Sequence, residues 1–269
     1  MIYAIGTSHT YGMCRGIENG VLEKTWCDVL QERVQKPVIN YGRSGVNNLQ
    51  LIEMAEYICK NDNPDLIIAE LRWTTHPLMY EKHKPQKANV DLFAKTRYNG
   101  GGDTDKYGEM YREIHYGWAK HVEYIEKRFP EFTSSLSEQE LQDVKGWIKV
   151  SFLHNIMEDH YKRQALSNFY HLQSICDNHN VPLKMFVWTA SNYADLSDSK
   201  FDMSGLSTFD FFKDGKTFIE HAGDWTQQHR CECEHFKLPV HEHLVDIIEQ
   251  EVLEVLNKYN ISKGENHEQ

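Results

Sequence analysis

The chain opens on Met1-Ile2-Tyr3-Ala4-Ile5-Gly6-Thr7-Ser8-His9-Thr10-Tyr11-Gly12. Ile2-Tyr3-Ala4-Ile5 is a short apolar run rich in β-formers, it breaks at Gly6, and Thr7-Ser8-His9-Thr10 follows at once. The pattern predicts a buried first strand whose carboxyl end presents a serine. In open α/β sheets the ligand crevice lies outside those carboxyl ends, which makes Ser8 the first candidate for chemistry. A serine in such a turn can also do no more than bond the neighbouring backbone. Support for the chemical reading has to come from elsewhere in the chain.

Working outward, Leu22, Trp26, Val29 and Leu30 mark one face of a helix running to about Val34. Residues 36–41 read as a second strand, with Pro37 at its entrance where a missing donor is tolerated. A loop carrying Gly42 and Gly45 follows, and Asn47 or Asn48 is placed to cap a helix bearing Leu51, Ile52, Ala55, Ile58 and Cys59. Residues 65–71 form a third strand, its Leu66-Ile67-Ile68-Ala69 core apolar on both faces. Strands and helices alternating over short links predict a parallel sheet with right-handed crossovers.

The alternation then pauses. Residues 72–135 are irregular, Gly100-Gly101-Gly102 marks a loop tip, and a helical stretch is expected over about 105–129. Ser137-Glu138-Gln139-Glu140 has capping-box spacing, and helical periodicity runs from Leu141 to Ile175. A fourth strand is predicted over 183–188, a loop-rich section over 189–228, and a last helix from Pro239 to about Tyr259. The expected organisation is one α/β domain over 1–269, with a mainly helical insertion or cap at about 76–180.

Composition narrows the function. The 40% hydrophobic and 26% charged residues are ordinary for a soluble globular chain. With 29 Lys and Arg against 40 Asp and Glu, the net charge of -11 and the lack of any basic run argue against a nucleic-acid partner. No apolar segment has transmembrane length and no secretory signal pattern opens the chain, so no membrane partner and a cytoplasmic location are expected. Cys14, Cys27, Cys59, Cys176, Cys231 and Cys233 form no framework, which suits free thiols in a reducing compartment.

The second informative cluster spans residues 225–243. Glu232 and His235 stand three apart just before the proline that opens the last helix. In a turn, that spacing lets the carboxylate reach the imidazole, fixing its tautomer and stabilising its protonated form. The histidine then needs only Ser8 within hydrogen-bond reach to act as a general base. A rival reading of the cluster is zinc, from His229, Cys231, Cys233, His235, His241 and His243. No paired Cys-x-x-Cys knuckle occurs, and His241 and His243, two apart in a helix, face different ways. No metal is assigned. A third reading takes Tyr107, Tyr111, Tyr116, Trp118, Tyr124 and Trp147 as a stacking surface of a non-catalytic module for glycan or protein. Aromatics at helical spacing belong more often to a core.

Taken together, Ser8 after a first strand, Ser44-Gly45 after a second, and a carboxylate three before a histidine near the end resemble the SGNH, or GDSL-type, hydrolases. Family members carry Gly-Asp-Ser in the first block, where this chain has Gly6-Thr7-Ser8, and Asp-x-x-His in the last, where it has Glu232-Cys233-Glu234-His235. The resemblance implies a three-layer α/β/α sandwich of flavodoxin-like type. It also implies ester hydrolysis by Ser8, His235 and Glu232, on a small-molecule or glycan ester, with no cofactor. The oxyanion hole it implies uses the N–H groups of Ser8 and Gly45. The family's third block adds an asparagine; here Glu70-Leu71-Arg72-Trp73-Thr74-Thr75-His76 has none, and Thr74 is the expected substitute. Loss of one such donor costs on the order of a hundredfold in rate. Arg72 and His9 are the expected substrate-binding residues.

Overall fold

A computed structural model describes residues 1–12, 17–18, 21–22, 24–43, 46, 48–72, 78–80, 111–113, 133–146, 160–188, 203–230 and 235–265. The expected α/β class is observed. Four parallel strands form the central sheet: β1 (Ile2–Ile5), β4 (Val38–Asn40), β5 (Leu66–Leu71) and β8 (Leu183–Val187), in the spatial order β4-β1-β5-β8. Every residue of β1 and β5 is buried, as strands covered on both faces require.

Helices cover both faces. Among the described residues α2 (Trp26–Val34) packs on α6 (Leu238–Glu265), while α3 (Asn48–Asn61) packs on α4 (His160–Asn178); the short α5 (Phe218–Ala222) precedes α6. Right-handed crossovers put the helix leaving β1 on one face and those leaving β4 and β5 on the other, because the chain steps to opposite sides of β1. That reversal between β1 and β5 is a topological switch point, where open α/β sheets bind their ligands. Trp26, Leu30, Leu51, Ile58, Phe169, Leu172, Val245 and Ile248 are fully buried members of the one core. The outer edge of β8 is closed by residues 207–209, with Met185 N–H donating to Ser207 at 2.8 Å and Phe209 N–H to Met185 at 3.1 Å.

Several boundaries differ from the sequence reading. Leu22 lies in a short hairpin, β2 (Ile17–Glu18) with β3 (Val21–Leu22), and the helix starts only at Trp26. Thr25 caps it in a box with Asp28, an arrangement that outweighs the apolar period reaching back to Leu22. Within the expected helix over 105–129, residues 111–113 are instead a strand, β7 (Tyr111–Glu113), antiparallel to β6 (Leu78–Tyr80). Cross-strand pairing overrides a weak helical period there. The last helix also continues past Tyr259 to Glu265.

The Ser137–Glu140 capping box forms as its spacing predicts, with Ser137 N–H donating to Glu140 at 2.8 Å. α4 falls inside the range expected for the insertion. Yet its Ala165, Phe169, Leu172 and Cys176 are buried in the central core, and it serves as the crossover between β5 and β8.

Candidate active site

β1 ends at Ile5, and Ser8–Tyr11 form one helical turn, α1, closed by Gly12 in the left-handed conformation at φ 79°. Thr7 stands at the N-cap, but its side chain does not cap the turn. Glu70, near the carboxyl end of the neighbouring β5, does so instead. Its carboxylate accepts Thr7 N–H at 3.1 Å, Thr10 N–H at 2.9 Å and the hydroxyls of both threonines. Thr10 also accepts the indole N–H of Trp26 at 3.3 Å, so the network runs on into the α2 layer. Burial raises the Glu70 pKa, and the hydrogen bonds from Thr10 and Thr7 oppose that rise.

The close approach explains the glycine before the serine. A Cβ on Gly6 would lie 2.3 Å from Thr10 Oγ1 and 2.7 Å from Glu70 Oε2. From the other side, Asn40 Nδ2 donates to Thr10 O at 2.7 Å and Asn40 Oδ1 accepts Gly42 N–H at 2.8 Å. Gly42 presses on the same turn, since its Cβ would fall 2.3 Å from Tyr11 N. Ser8 is thus carried by a turn held from β4 and β5 at once.

The other half of the site comes from the far end of the chain. Arg230 and Phe236 pair as an antiparallel bridge, and Lys237 N–H donates to His229 O at 2.9 Å, so an excursion leaves and returns at one place. His235 stands on the returning arm, half-buried. His241, in the first turn of α6, anchors that arm. Its Nδ1 accepts Trp26 N–H at 3.3 Å, which leaves Nε2 protonated to donate to Phe236 O at 3.2 Å. With both ring nitrogens engaged, His241 cannot serve as the zinc ligand of the rival reading. Among the described residues no group of three or more His, Cys, Asp or Glu is arranged to hold a metal.

The two halves meet at His9. Its ring stacks on Trp188, just past the end of β8, at 5.3 Å and 2°, and touches His235 at 5.1 Å and Phe236 at 5.5 Å. Burial is the main cause that holds His9 well below the ordinary histidine pKa; the charges of His235, His241, Arg72 and Arg230 add to it. Arg72 leaves β5 with its backbone clamped by Asn48, whose amide donates to Arg72 O at 2.8 Å and accepts Arg72 N–H at 2.9 Å. Asn48, the first residue of α3, thus holds the strand end, while Asn47, the other residue expected to cap that helix, lies outside the described residues.

Of the residues singled out in the sequence, Ser8, His9, Arg72 and His235 are gathered at the carboxyl ends of β1 and β5. Glu232, Gly45 and Thr74 lie outside the described residues, as do Cys231 and Cys233 and the side chains of the central aromatic set. Cys27, Cys59 and Cys176 are free thiols. Glu70 and Trp188 went unrecognised as parts of the site. A carboxylate inside an otherwise apolar, two-sided strand was the available signal for Glu70, since a buried charge requires partners.

Comparison adds little to this geometry. No family model matches the chain, and no curated protein aligns with it significantly. A solved structure from Desulfitobacterium hafniense DCB-2, carrying the description of a lipolytic protein of the G-D-S-L family, is similar at 12% identity. The match covers 74% of this chain and 87% of that one, with a TM-score of 0.25. At that score the reading rests on the side chains themselves.

Proposed function

We propose that this protein hydrolyses esters by acyl transfer through Ser8, and that O-acetylated carbohydrates are the first substrate class to test. The observation that carries the reading is the ring contact between His9 and His235 at 5.1 Å. It brings the serine-bearing turn of the first strand against the histidine ahead of the last helix.

In the proposed reaction Ser8 Oγ attacks the ester carbonyl while His235 takes its proton, with Glu232 orienting the imidazole. The tetrahedral oxyanion is held by the N–H groups of Ser8 and Gly45 and by the Thr74 hydroxyl. The Ser8 amide suits this role because first-turn amides of a helix lack intrahelical acceptors. Collapse expels the alcohol, which takes the proton from His235. Water then attacks the acyl-serine, His235 accepts its proton, and release of the acid returns that proton to Ser8.

Glu70 supports the same reading, since a carboxylate tied to both flanking threonines holds the turn rigid around the attacking oxygen. Turnover of a panel of small and sugar acetates tests the proposal. Ser8→Ala is expected to lower the rate by about a thousandfold or more. Unchanged turnover in that variant overturns it.

A further inference from the structure

Among the described residues, three nitrogen atoms in the wall of this site are buried without a hydrogen-bond partner: His9 Nδ1, Trp188 Nε1 and Arg230 Nε. Two of them are donors only, because neither an indole nor a guanidinium nitrogen can accept. A buried donor left unpaired is costly, and native structures pair nearly all of them with protein, water or ligand. Trp188 is only 1% exposed, so ordinary surface hydration does not satisfy its N–H.

These atoms belong to one cluster. Trp188 stacks on His9 and lies 6.1 Å from the Phe236 ring, and the Arg230 guanidinium sits over that same ring at 5.0 Å. Among the described residues, the ionisable groups that bear on His9 are His235, His241, Arg72 and Arg230, all basic, in a chain whose net charge is -11. Glu70, the one buried carboxylate among the described residues, already accepts four hydrogen bonds from Thr7 and Thr10.

We infer that the Arg230–Trp188–His9 wall is a binding site for a compact oxyanion, a carboxylate or phosphate group borne by the substrate. Trp188 Nε1–H and Arg230 Nε–H donate to its oxygens, and the basic surroundings supply the field that favours it. The Arg230 guanidinium packs over the Phe236 ring, which orients its donor before the anion arrives. As a statement about substrate class this rests on the hydrolase reading. The anion site itself is measurable without turnover.

The test is calorimetric titration of the whole chain with inorganic phosphate and, separately, with acetate, using chloride at matched ionic strength as the control. Wild type is expected to bind one of the two anions at about 1 mM or tighter, and the tighter anion names the group. Arg230→Met keeps the stem over Phe236 and Trp188→Phe keeps an aromatic ring against His9; each should weaken binding about tenfold. Arg230→Lys should restore part of it, which separates lost charge from lost fold. An anion effect no larger than that of chloride, or equal binding in wild type and both variants, overturns the inference. Ser8→Ala should still bind the anion. A Ser8→Ala that keeps both binding and full ester turnover removes the hydrolase reading and leaves the anion site standing.

Discussion

His9 and His235 meet ring to ring, their centroids 5.1 Å apart and their planes tilted by 47°. One sits in the turn after the first strand and the other on the arm leading into the last helix. The contact brings both ends of the sequence to the switch point between β1 and β5. It depends on two anchors outside the contact itself, Glu70 bonded to the first turn and His241 bonded to the arm, and both can be removed separately.

Glu70 takes the place of the N-cap side chain of α1. Glu70→Ala leaves buried N–H and hydroxyl donors of Thr7 and Thr10 without an acceptor. The expected loss is about 3 kcal/mol in urea unfolding. Glu70→Gln retains one acceptor oxygen and removes a buried charge, so it should cost clearly less. Equal costs for the two variants would show that one retained acceptor oxygen does not hold the turn.

Gly6→Ala tests the close packing above that carboxylate. The added methyl meets Thr10 Oγ1 and Glu70 Oε2 inside van der Waals contact, and both are fixed by hydrogen bonds. Stability should fall by about 2 kcal/mol or more. Ester turnover should fall with it, because the serine turn must shift to make room.

His241→Phe removes one acceptor and one donor while keeping an aromatic ring against Trp188. The Trp26 N–H and the Phe236 carbonyl lose their partner, at an expected cost of about 2 kcal/mol. The arm that holds His235 loosens, and the effect on activity should appear mainly in kcat. A variant with wild-type kcat and stability would show that the arm is held by other contacts.

His9 makes stability depend on pH. Its pKa is lowered in the folded protein, chiefly by burial, so below the ordinary histidine value the unfolded chain binds a proton that the folded chain does not. Stability attributable to this residue is intact above about pH 6.5. It is lost as pH falls from there towards the lowered value, at up to about 1.4 kcal/mol per pH unit. Thermal unfolding of wild type and His9→Phe between pH 7.5 and pH 5, on the order of one unit either side of that value, should show the smaller loss in the variant. Parallel curves would show that His9 is not the group responsible.

The sheet was legible because its strands announce themselves: Ile2–Ile5 and Leu66–Leu71 are apolar on both faces and short links separate them from amphipathic helices. Ser8, His9 and Arg72 follow strand ends that point to one crevice, whereas His235 reaches His9 from the arm ahead of the last helix. What escaped notice were partners defined only by three-dimensional approach. Asn48 looks like a helix cap until the backbone of Arg72 arrives beside it. Trp188 looks like one more strand aromatic until His9 stacks on it. The strand at Tyr111–Glu113 depends on pairing with Leu78–Tyr80 across a long separation, which no local period reveals.

The central claim is that the Ser8 hydroxyl is activated by His235. Labelling with a fluorophosphonate, followed by peptide mapping, reports that activation without requiring the natural substrate. The account predicts a single stoichiometric adduct on the peptide carrying Ser8, lost in His235→Ala while that variant stays folded. An adduct on another residue, or labelling of Ser8 that persists undiminished without His235, would contradict it.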